Sequence, residues 1–123
     1  MSHKSIPFNN FSNEPEKLIK DQLNAIEEVI RSGWYILGEK VEEFEQLWAQ
    51  RCSTHNSVGV GNGLDAIEIG LRGLGIGPGD EVITTALTAF ATTLAIQKCG
   101  AKVIYADINP ETGTIDPDSV QSC

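Results

Sequence analysis

The feature that most constrains the fold is the alternation of short apolar runs and longer amphipathic segments from Ser57 onward. Strands followed by helices in this order predict an α/β layer with a mainly parallel sheet. The predicted strands are SVGV (57–60), EVITT (81–85) and KVIYADI (102–108). The predicted helices are LDAIEIGLRGLG (64–75), with Leu64, Ile67, Leu71 and Leu74 buried, TAFATTLAIQKCG (88–100), and a helix beginning at Asp116-Pro117.

The residues before this alternation predict an irregular arm and two helices. The arm covers 1–13, and a helix begins at Glu14-Pro15 with Asn13 as its N-cap and ends at Gly33. After the segment WYILG, a second helix is predicted over roughly Glu39 to Arg51. We therefore expect one domain over 1–123, in which 1–56 form the arm and helices and 57–123 form the strand-helix units.

Composition excludes several classes of protein. The net charge of −8 over 123 residues argues against a nucleic-acid partner. Three cysteines, an odd number without CxxC spacing, argue against a disulfide framework or a zinc site, so no metal is expected. The sequence has neither an 18-residue apolar run nor a signal-like apolar segment, which predicts a cytoplasmic protein with reduced thiols and no membrane partner.

The glycine turn in VGVGNGLDA (58–66) is the first candidate for chemistry. A strand that passes through glycines into a helix leaves free backbone N–H groups at the helix N-terminus, which is a phosphate-binding geometry. Gly61 and Gly63 remove the Cβ atoms that would keep an anion away, and Asn62 can offer a side-chain amide. From the local residues alone, the alternative, a plain tight turn with a glycine-eased helix start, is favoured over an anion site.

Hydroxyl groups at the next strand-helix junction form the second candidate. Thr84, Thr85 and Thr88 lie where ligands bind in open α/β sheets, outside the carboxyl end of a strand. The alternative is that Thr88 caps the helix and that Thr84 and Thr85 only favour the strand.

Two adjacent aromatic residues in SGWYILGEK (32–40) form the third candidate. Trp34 and Tyr35 can form a wall of a binding site or an oligomer contact. The alternative is that they pack the two N-terminal helices together.

Taken in order, these segments resemble the N-terminal part of the DegT-type sugar aminotransferases, pyridoxal 5′-phosphate (PLP) enzymes of the aspartate aminotransferase superfamily, fold type I. The resemblance covers almost the whole chain. Its motifs are IPFNNF, IRSGWYILGEKVEEFEQLWAQ, VGVGNGLDAIEIGLRGLGIGPGDEVI and TAFATTLAIQKCGAKVIYADINPETGTIDP. The fold implied is the first part of the large domain of these enzymes, truncated.

The resemblance also implies an activity and a set of site residues. Members transfer an amino group, usually from glutamate, to a keto sugar attached to a nucleotide, in deoxyaminosugar and polysaccharide biosynthesis, and act as homodimers. Asn62, Gly63 and Leu64 match the positions that hold the cofactor phosphate. Tyr35 matches a region that approaches the sugar nucleotide or the neighbouring subunit. Ala89 matches the position where many members carry an aromatic residue stacked on the cofactor ring.

The covalent anchor of the cofactor is not matched within these residues. In the family the lysine that links the cofactor, and the acidic residue that pairs with its ring nitrogen, lie well C-terminal of the matched region. None of the lysines corresponds to that position (Lys4, Lys17, Lys20, Lys40, Lys98 and Lys102). We therefore expect a truncated or split product that is catalytically inactive alone. The alternatives are a regulatory or structural subunit that pairs with a full-length relative, and a generic α/β module that binds a phosphorylated ligand.

Overall fold

The computed structural model describes residues 6–123, so the first five residues of the predicted arm lie outside the described residues. The chain divides into two compact units, Met1–Val58 and Gly59–Cys123. Within the described range, no helix is both long enough and apolar enough to cross a membrane.

The first helix of the N-terminal unit, α1, spans Glu16–Ser32. Pro15 occupies the N-cap position with extended backbone, and no side chain caps the helix. The predicted cap at Asn13 is therefore wrong, because Pro15 has an extended backbone with ψ of 137° and the helix begins at the residue after it. Gly33, with φ of 68°, ends the helix as predicted, and its N–H donates to the carbonyl of Ile30.

The second helix, α2, spans Glu39–Cys52 after an N-cap at Gly38. A side chain at position 38 would not fit, since a Cβ there would lie 2.8 Å from the carbonyl oxygen of Trp34. Ser53 ends α2 in the left-handed conformation. On its surface the rings of Phe44 and Trp48 stack with centroids 5.7 Å apart.

The apolar faces of both helices are largely exposed in this unit. Helix α1 buries none of its residues, and α2 buries only Ala49. Several apolar side chains of α1 are accordingly about half exposed (Leu18, Leu23, Ile26 and Ile30).

The C-terminal unit is a small parallel sheet with helices. Its elements in order are α3 (Gly63–Gly73), β1 (Glu81–Thr85), α4 (Phe90–Lys98), β2 (Lys102–Ala106) and α5 (Pro117–Gln121). Strands β1 and β2 pair in parallel, from Glu81 opposite Lys102 to Thr85 opposite Ala106. An isolated antiparallel bridge between Ile108 and Ile115 closes the loop before α5. The predicted α/β class with a parallel sheet is confirmed.

Helix α4 forms the centre of this unit, because it contacts α3 as well as both strands. A helix between two layers needs apolar residues on more than one face. Ala95 and Ile96 are accordingly 0% and 1% exposed, and Cys99 and Ala106 are also buried. The α4–β2 contact includes a hydrogen bond between the hydroxyls of Thr93 and Tyr105, 3.3 Å apart.

Two expectations for this part of the chain are wrong. Residues 57–60 form no strand, and Val58 is 76% exposed. Among residues 6–123 the one sheet consists of β1 and β2, so residues 57–60 belong to no strand, and Gly59 in their middle disfavours one. Leu74 is exposed because α3 ends at Gly73, and residue 74 therefore falls outside the amphipathic stripe.

Candidate functional site

The turn that begins α3 is held by a reciprocal pair of side-chain hydrogen bonds. Asn62 is the N-cap, and its Oδ1 accepts from the backbone N–H of Asp65 at 3.0 Å. In return, the Asn62 Nδ2 donates to Oδ2 of Asp65 at 3.0 Å. The side-chain amide that the sequence offered to an anion is thus engaged within the chain.

The backbone N–H groups of Gly63 and Leu64 remain open. They belong to the first turn of α3, where no intrahelical carbonyl can accept from them. Among residues 6–123, no acceptor is found for either group. Two open N–H groups at the positive end of a helix dipole form an arrangement suited to an anion. We call the open N–H groups of Gly63 and Leu64 the N–H pair.

The two glycines beside Asn62 differ in the space that a side chain would have. A Cβ on Gly61 would lie 2.8 Å from Oδ2 of Asp65, so Gly61 makes room for that carboxylate. A Cβ on Gly63 would meet nothing within 4 Å, and Gly63 does not have a positive φ. Neither internal crowding nor backbone conformation requires glycine at 63. Its missing side chain leaves open space beside the N–H pair.

An ion cluster anchors α3 to α4 behind this turn. Lys98 on α4 lies 2.5 Å from Oε2 of Glu68, and Arg72 lies 3.1 Å from Oε1. Arg72 also donates to the carbonyl of Lys98 at 2.6 Å, and the buried thiol of Cys99 donates to the carbonyl of Glu68. The hydrogen bond from Lys98 lowers the pKa of Glu68, and the same bond raises the pKa of Lys98. The cluster fixes the helix that carries the N–H pair.

The junction between β1 and α4 differs from its predicted form. Ala89, not Thr88, occupies the N-cap of α4, and no side chain caps this helix. The alternative in which Thr88 caps this helix is not observed, since its hydroxyl pairs with the hydroxyl of Thr92, 3.2 Å away. Thr85 Oγ1 accepts from the N–H of Leu87 at 3.1 Å. Ala89 presents only a methyl group, and Phe90, the next residue, begins the helix.

A cleft of about 320 Å³ opens at the carboxyl ends of the two parallel strands. Its position agrees with the rule that ligands of open α/β sheets bind at this edge. The cleft is lined by Thr85, Ala86, Leu87, Ala106, Asp107 and Ile108.

Tyr35 and Trp34 lie in the N-terminal unit, with their polar atoms engaged locally. The Tyr35 hydroxyl donates to the carbonyl of Ile30 at 3.2 Å, and Trp34 Nε1 donates to the carbonyl of Ile36 at 2.8 Å. Both rings are more than half exposed. Trp34 lines a cavity of about 370 Å³.

Lys40 lines the same cavity and bridges the two helices of this unit. Its Nζ lies 3.2 Å from Glu28 on α1 and 3.3 Å from Glu43 on α2. The hydrogen bond to Glu28 is the main reason that the pKa of Lys40 is raised.

Two features of the site escaped the sequence reasoning. The pairing of Asn62 with Asp65 has a readable signal, since a cap residue followed by an acidic residue three positions later is the spacing of a capping box. The Asp65 carboxylate, however, accepts from the side chain of Asn62 and not from its backbone N–H. The contact of Lys98 with Glu68 has none, because 30 residues and a strand separate them. Asn62, Gly63 and Leu64 come together at the start of α3, Ala89 lies at the start of α4 in the same unit, and Tyr35 lies in the other unit.

Comparison with known proteins identifies the family. The profile of the DegT/DnrJ/EryC1/StrS aminotransferase family matches residues 16–123, most of the chain. The chain belongs to this family. The DegT/DnrJ/EryC1/StrS chain described here is 42% identical over 118 residues to a pleiotropic regulatory protein of Geobacillus stearothermophilus, covering 96% of this chain and 32% of that protein.

One further relative has a name that specifies its reaction, and one similar crystal structure contains a bound cofactor. A dTDP-3-amino-3,4,6-trideoxy-α-D-glucose transaminase of Streptomyces venezuelae is 41% identical over 112 residues, covering 91% of this chain and 30% of that enzyme. The crystal structure of NtdA from Bacillus subtilis, with its cofactor PMP bound, superposes with a TM-score of 0.85 at 34% identity, covering 99% of this chain and 29% of that one. This DegT/DnrJ/EryC1/StrS chain therefore spans about a third of the length of the relatives that it matches.

Proposed function

We propose that this chain supplies the phosphate-binding part of a PLP-dependent sugar aminotransferase. The N–H pair of Gly63 and Leu64 is the single observation that carries the proposal, because it offers two open donors with clear space beside them. In the proposal, Asn62 shapes the turn and the N–H pair binds the phosphate. PLP, when bound, supplies the electron sink for amino-group transfer.

The substrates are proposed from the names of relatives in the family. We infer that the complete enzyme transfers an amino group from an amino acid, glutamate in the first instance, to a keto sugar linked to a nucleotide. The name of the Streptomyces relative, a dTDP-sugar transaminase, supports this substrate class. The proposal includes a homodimer in the cytoplasm, with Tyr35 near the sugar nucleotide and Ala89 beside the cofactor ring.

These 123 residues alone are proposed to bind the cofactor phosphate without catalysing transfer. The resemblance implies that the lysine that links the cofactor in the family has no counterpart among the lysines of these residues. Without a positioned amine the aldehyde of PLP has no covalent partner in the site. Borohydride treatment of the purified chain with PLP is expected to leave no single lysine stoichiometrically modified, as read by mass spectrometry. Specific, complete modification of one lysine would contradict this part.

The phosphate-binding role is tested with Gly63→Ala. A methyl group at 63 meets no atom of the chain, so the fold is expected to persist, but the methyl fills the space beside the N–H pair. Loss of two charge-assisted hydrogen bonds is expected to weaken PLP binding by about tenfold or more. The measurement is a fluorescence titration with PLP, with pyridoxal, which lacks the phosphate, as the ligand control.

Gly70→Ala is the matched control, because Gly70 lies in the same helix and also faces open space. It is expected to bind PLP like the unmodified chain. Equal PLP affinity for Gly63→Ala and Gly70→Ala would show that the phosphate does not bind at the start of α3.

A second candidate function is a non-catalytic regulatory subunit, favoured by the name of the Geobacillus relative. In this case the chain would assemble with a full-length aminotransferase and change its activity. Native mass spectrometry of the chain mixed with such an enzyme, together with its turnover rate, distinguishes the two functions. A stable hetero-oligomer with altered turnover supports the regulatory function, and neither effect is expected under the first proposal.

A further inference from the structure

The carboxylate of Asp65 lies against the turn that presents the N–H pair. Its Oδ2 accepts from Nδ2 of Asn62 at 3.0 Å and would lie 2.8 Å from a Cβ on Gly61. The side chain of Asp65 therefore folds back over the turn rather than extending into solvent. No step of the proposed function uses this carboxylate.

The contact determines what Asn62 can offer to a ligand. The Oδ1 of Asn62 is occupied by the N–H of Asp65, and its Nδ2 by the carboxylate of the same residue. With both ends of the amide engaged, the cap is fixed in one orientation. An anion that approaches the turn then meets backbone donors and not the side-chain amide.

The charge of Asp65 has a further consequence. A carboxylate beside the first turn competes with a bound anion for the positive end of the helix dipole. Asp65 also interacts electrostatically with Lys98, whose pKa is raised mainly by the hydrogen bond to Glu68 and in smaller part by the charge of Asp65. Asp65 thus adds order to the turn and also repels the ligand that the turn binds.

We propose that Asp65 is a positioning residue of the phosphate site: it holds Asn62 against helix α3 so that only the backbone N–H pair contacts the phosphate, and its charge weakens phosphate retention. This inference rests on the proposed function. It concerns residues of this chain and requires no turnover to be tested.

The experiment is a titration of the intact, ¹⁵N-labelled protein with inorganic phosphate, followed by NMR. In the unmodified protein, the backbone amides of Gly63 and Leu64 are expected to shift, and the side-chain amide of Asn62 to stay unchanged. The side-chain amide of Asn109, whose oxygen caps the loop after β2, is the internal reference. In Asp65→Ala, the freed Asn62 side chain is expected to respond to phosphate as well.

Asp65→Asn separates charge from orientation. The amide oxygen of the new Asn side chain can still accept from Nδ2 of Asn62. The NMR signal of the Asn62 side-chain amide is therefore expected to stay unchanged on addition of phosphate, while phosphate binds about two- to fivefold more tightly. This variant also covers the case in which Asp65→Ala fails to fold, as judged by circular dichroism.

The outcomes distinguish this inference from the function on which it rests. A phosphate-induced shift of the Asn62 side chain in the unmodified protein, or unchanged phosphate affinity in Asp65→Asn, overturns the role of Asp65 but leaves the N–H pair as the binding site. Unshifted backbone amides of Gly63 and Leu64 in all variants would overturn the phosphate site and this inference together.

Discussion

Lys98 on α4 and Glu68 on α3 form an ion pair with Nζ and Oε2 2.5 Å apart. The side chain of Glu68 is only 15% exposed, which makes it the most enclosed partner among the ion pairs of the described residues. Arg72 approaches the other carboxylate oxygen. The pair joins the helix that carries the N–H pair to the helix at the centre of the unit.

Acidic pH is expected to weaken the ion pair between Lys98 and Glu68. The hydrogen bond from Lys98 lowers the pKa of Glu68 below its ordinary value of 4.5. The stabilisation is complete above that ordinary value and is lost as the pH falls through the lowered value. Glu68→Gln is therefore expected to reduce the midpoint temperature at pH 7 and to flatten its decline in acid, as measured by thermal unfolding between pH 3 and 7.

Glu81→Gln is the matched control for this prediction. Glu81 pairs with Lys102 across the two strands at 2.7 Å, but both side chains are more than half exposed. Solvent screening makes such exposed pairs weak. A larger loss of stability in Glu81→Gln than in Glu68→Gln would contradict the role given to the α3–α4 pair.

Alkaline conditions test the other partner of the pair. The hydrogen bond to Glu68 raises the pKa of Lys98 above its ordinary value of 10.5. Its stabilisation is complete below 10.5 and is lost as the pH rises through the raised value. Lys98→Met is expected to have a flatter stability profile above pH 10 than the unmodified protein. An unchanged alkaline profile would show that Lys98 contributes no proton-linked stability.

Removing the side chain of Ile96 is expected to destabilise the C-terminal unit strongly. Ile96 is 1% exposed at the centre of the contacts between α4 and its neighbours. Truncating a buried aliphatic residue to Ala costs about 2–5 kcal/mol of unfolding free energy. Urea unfolding measures the loss, and Ile69→Ala, at a position 55% exposed on α3, is expected to cost much less.

Substitution of Gly100 is expected to cost more than substitution of Gly75. Both residues have a left-handed backbone, with φ of 84° and 80°. A Cβ on Gly100 would in addition lie 2.9 Å from Cγ of Pro78, whereas one on Gly75 would meet nothing within 4 Å. Gly75→Ala is expected to reduce the free energy of unfolding by about 1 kcal/mol, because of the left-handed backbone alone. Gly100→Ala is expected to reduce it by more. Equal losses in chemical denaturation would exclude a steric contribution from Pro78.

Loss of the cap at Asn62 is expected to destabilise α3. Asn62→Ala removes the oxygen that accepts from the N–H of Asp65, which costs about 1 kcal/mol. Asn62→Ser keeps a capping oxygen and is expected to recover most of this stability. Circular dichroism during urea unfolding compares the two, and equal stability of both variants would contradict the capping role.

Much of the fold was predictable because local rules act on contiguous residues. Strand β1 matches its predicted range, and β2 ends two residues early, at Ala106. Gly33 ends α1 and Asp116 caps α5 as expected, because a left-handed glycine and a short polar cap are readable from single residues. The prediction of a strand over 57–60 is wrong for a different reason. A strand forms only as part of a ladder with another strand, and residues that are local in sequence do not show whether such a ladder exists.

The candidate site was predictable only in part. Asn62, Gly63 and Leu64 were selected from their residue types and from the resemblance, and their role remains a prediction. The hydrogen bonds between Asn62 and Asp65 change which atoms can bind a phosphate. These bonds depend on the rotamers of both side chains, which the sequence does not show. The contact between Glu68 and Lys98 depends on how α3 packs on α4, which no local pattern records.

The buried thiol of Cys99 has a practical consequence. Cys99 is 3% exposed and donates to a carbonyl of α3, whereas Cys52 and Cys123 are exposed. A thiol reagent can reach Cys99 only when α4 separates from its neighbours, while the other two cysteines react without such an opening. The rate at which a thiol reagent labels Cys99, compared with the rates at Cys52 and Cys123, therefore measures how often the C-terminal unit opens.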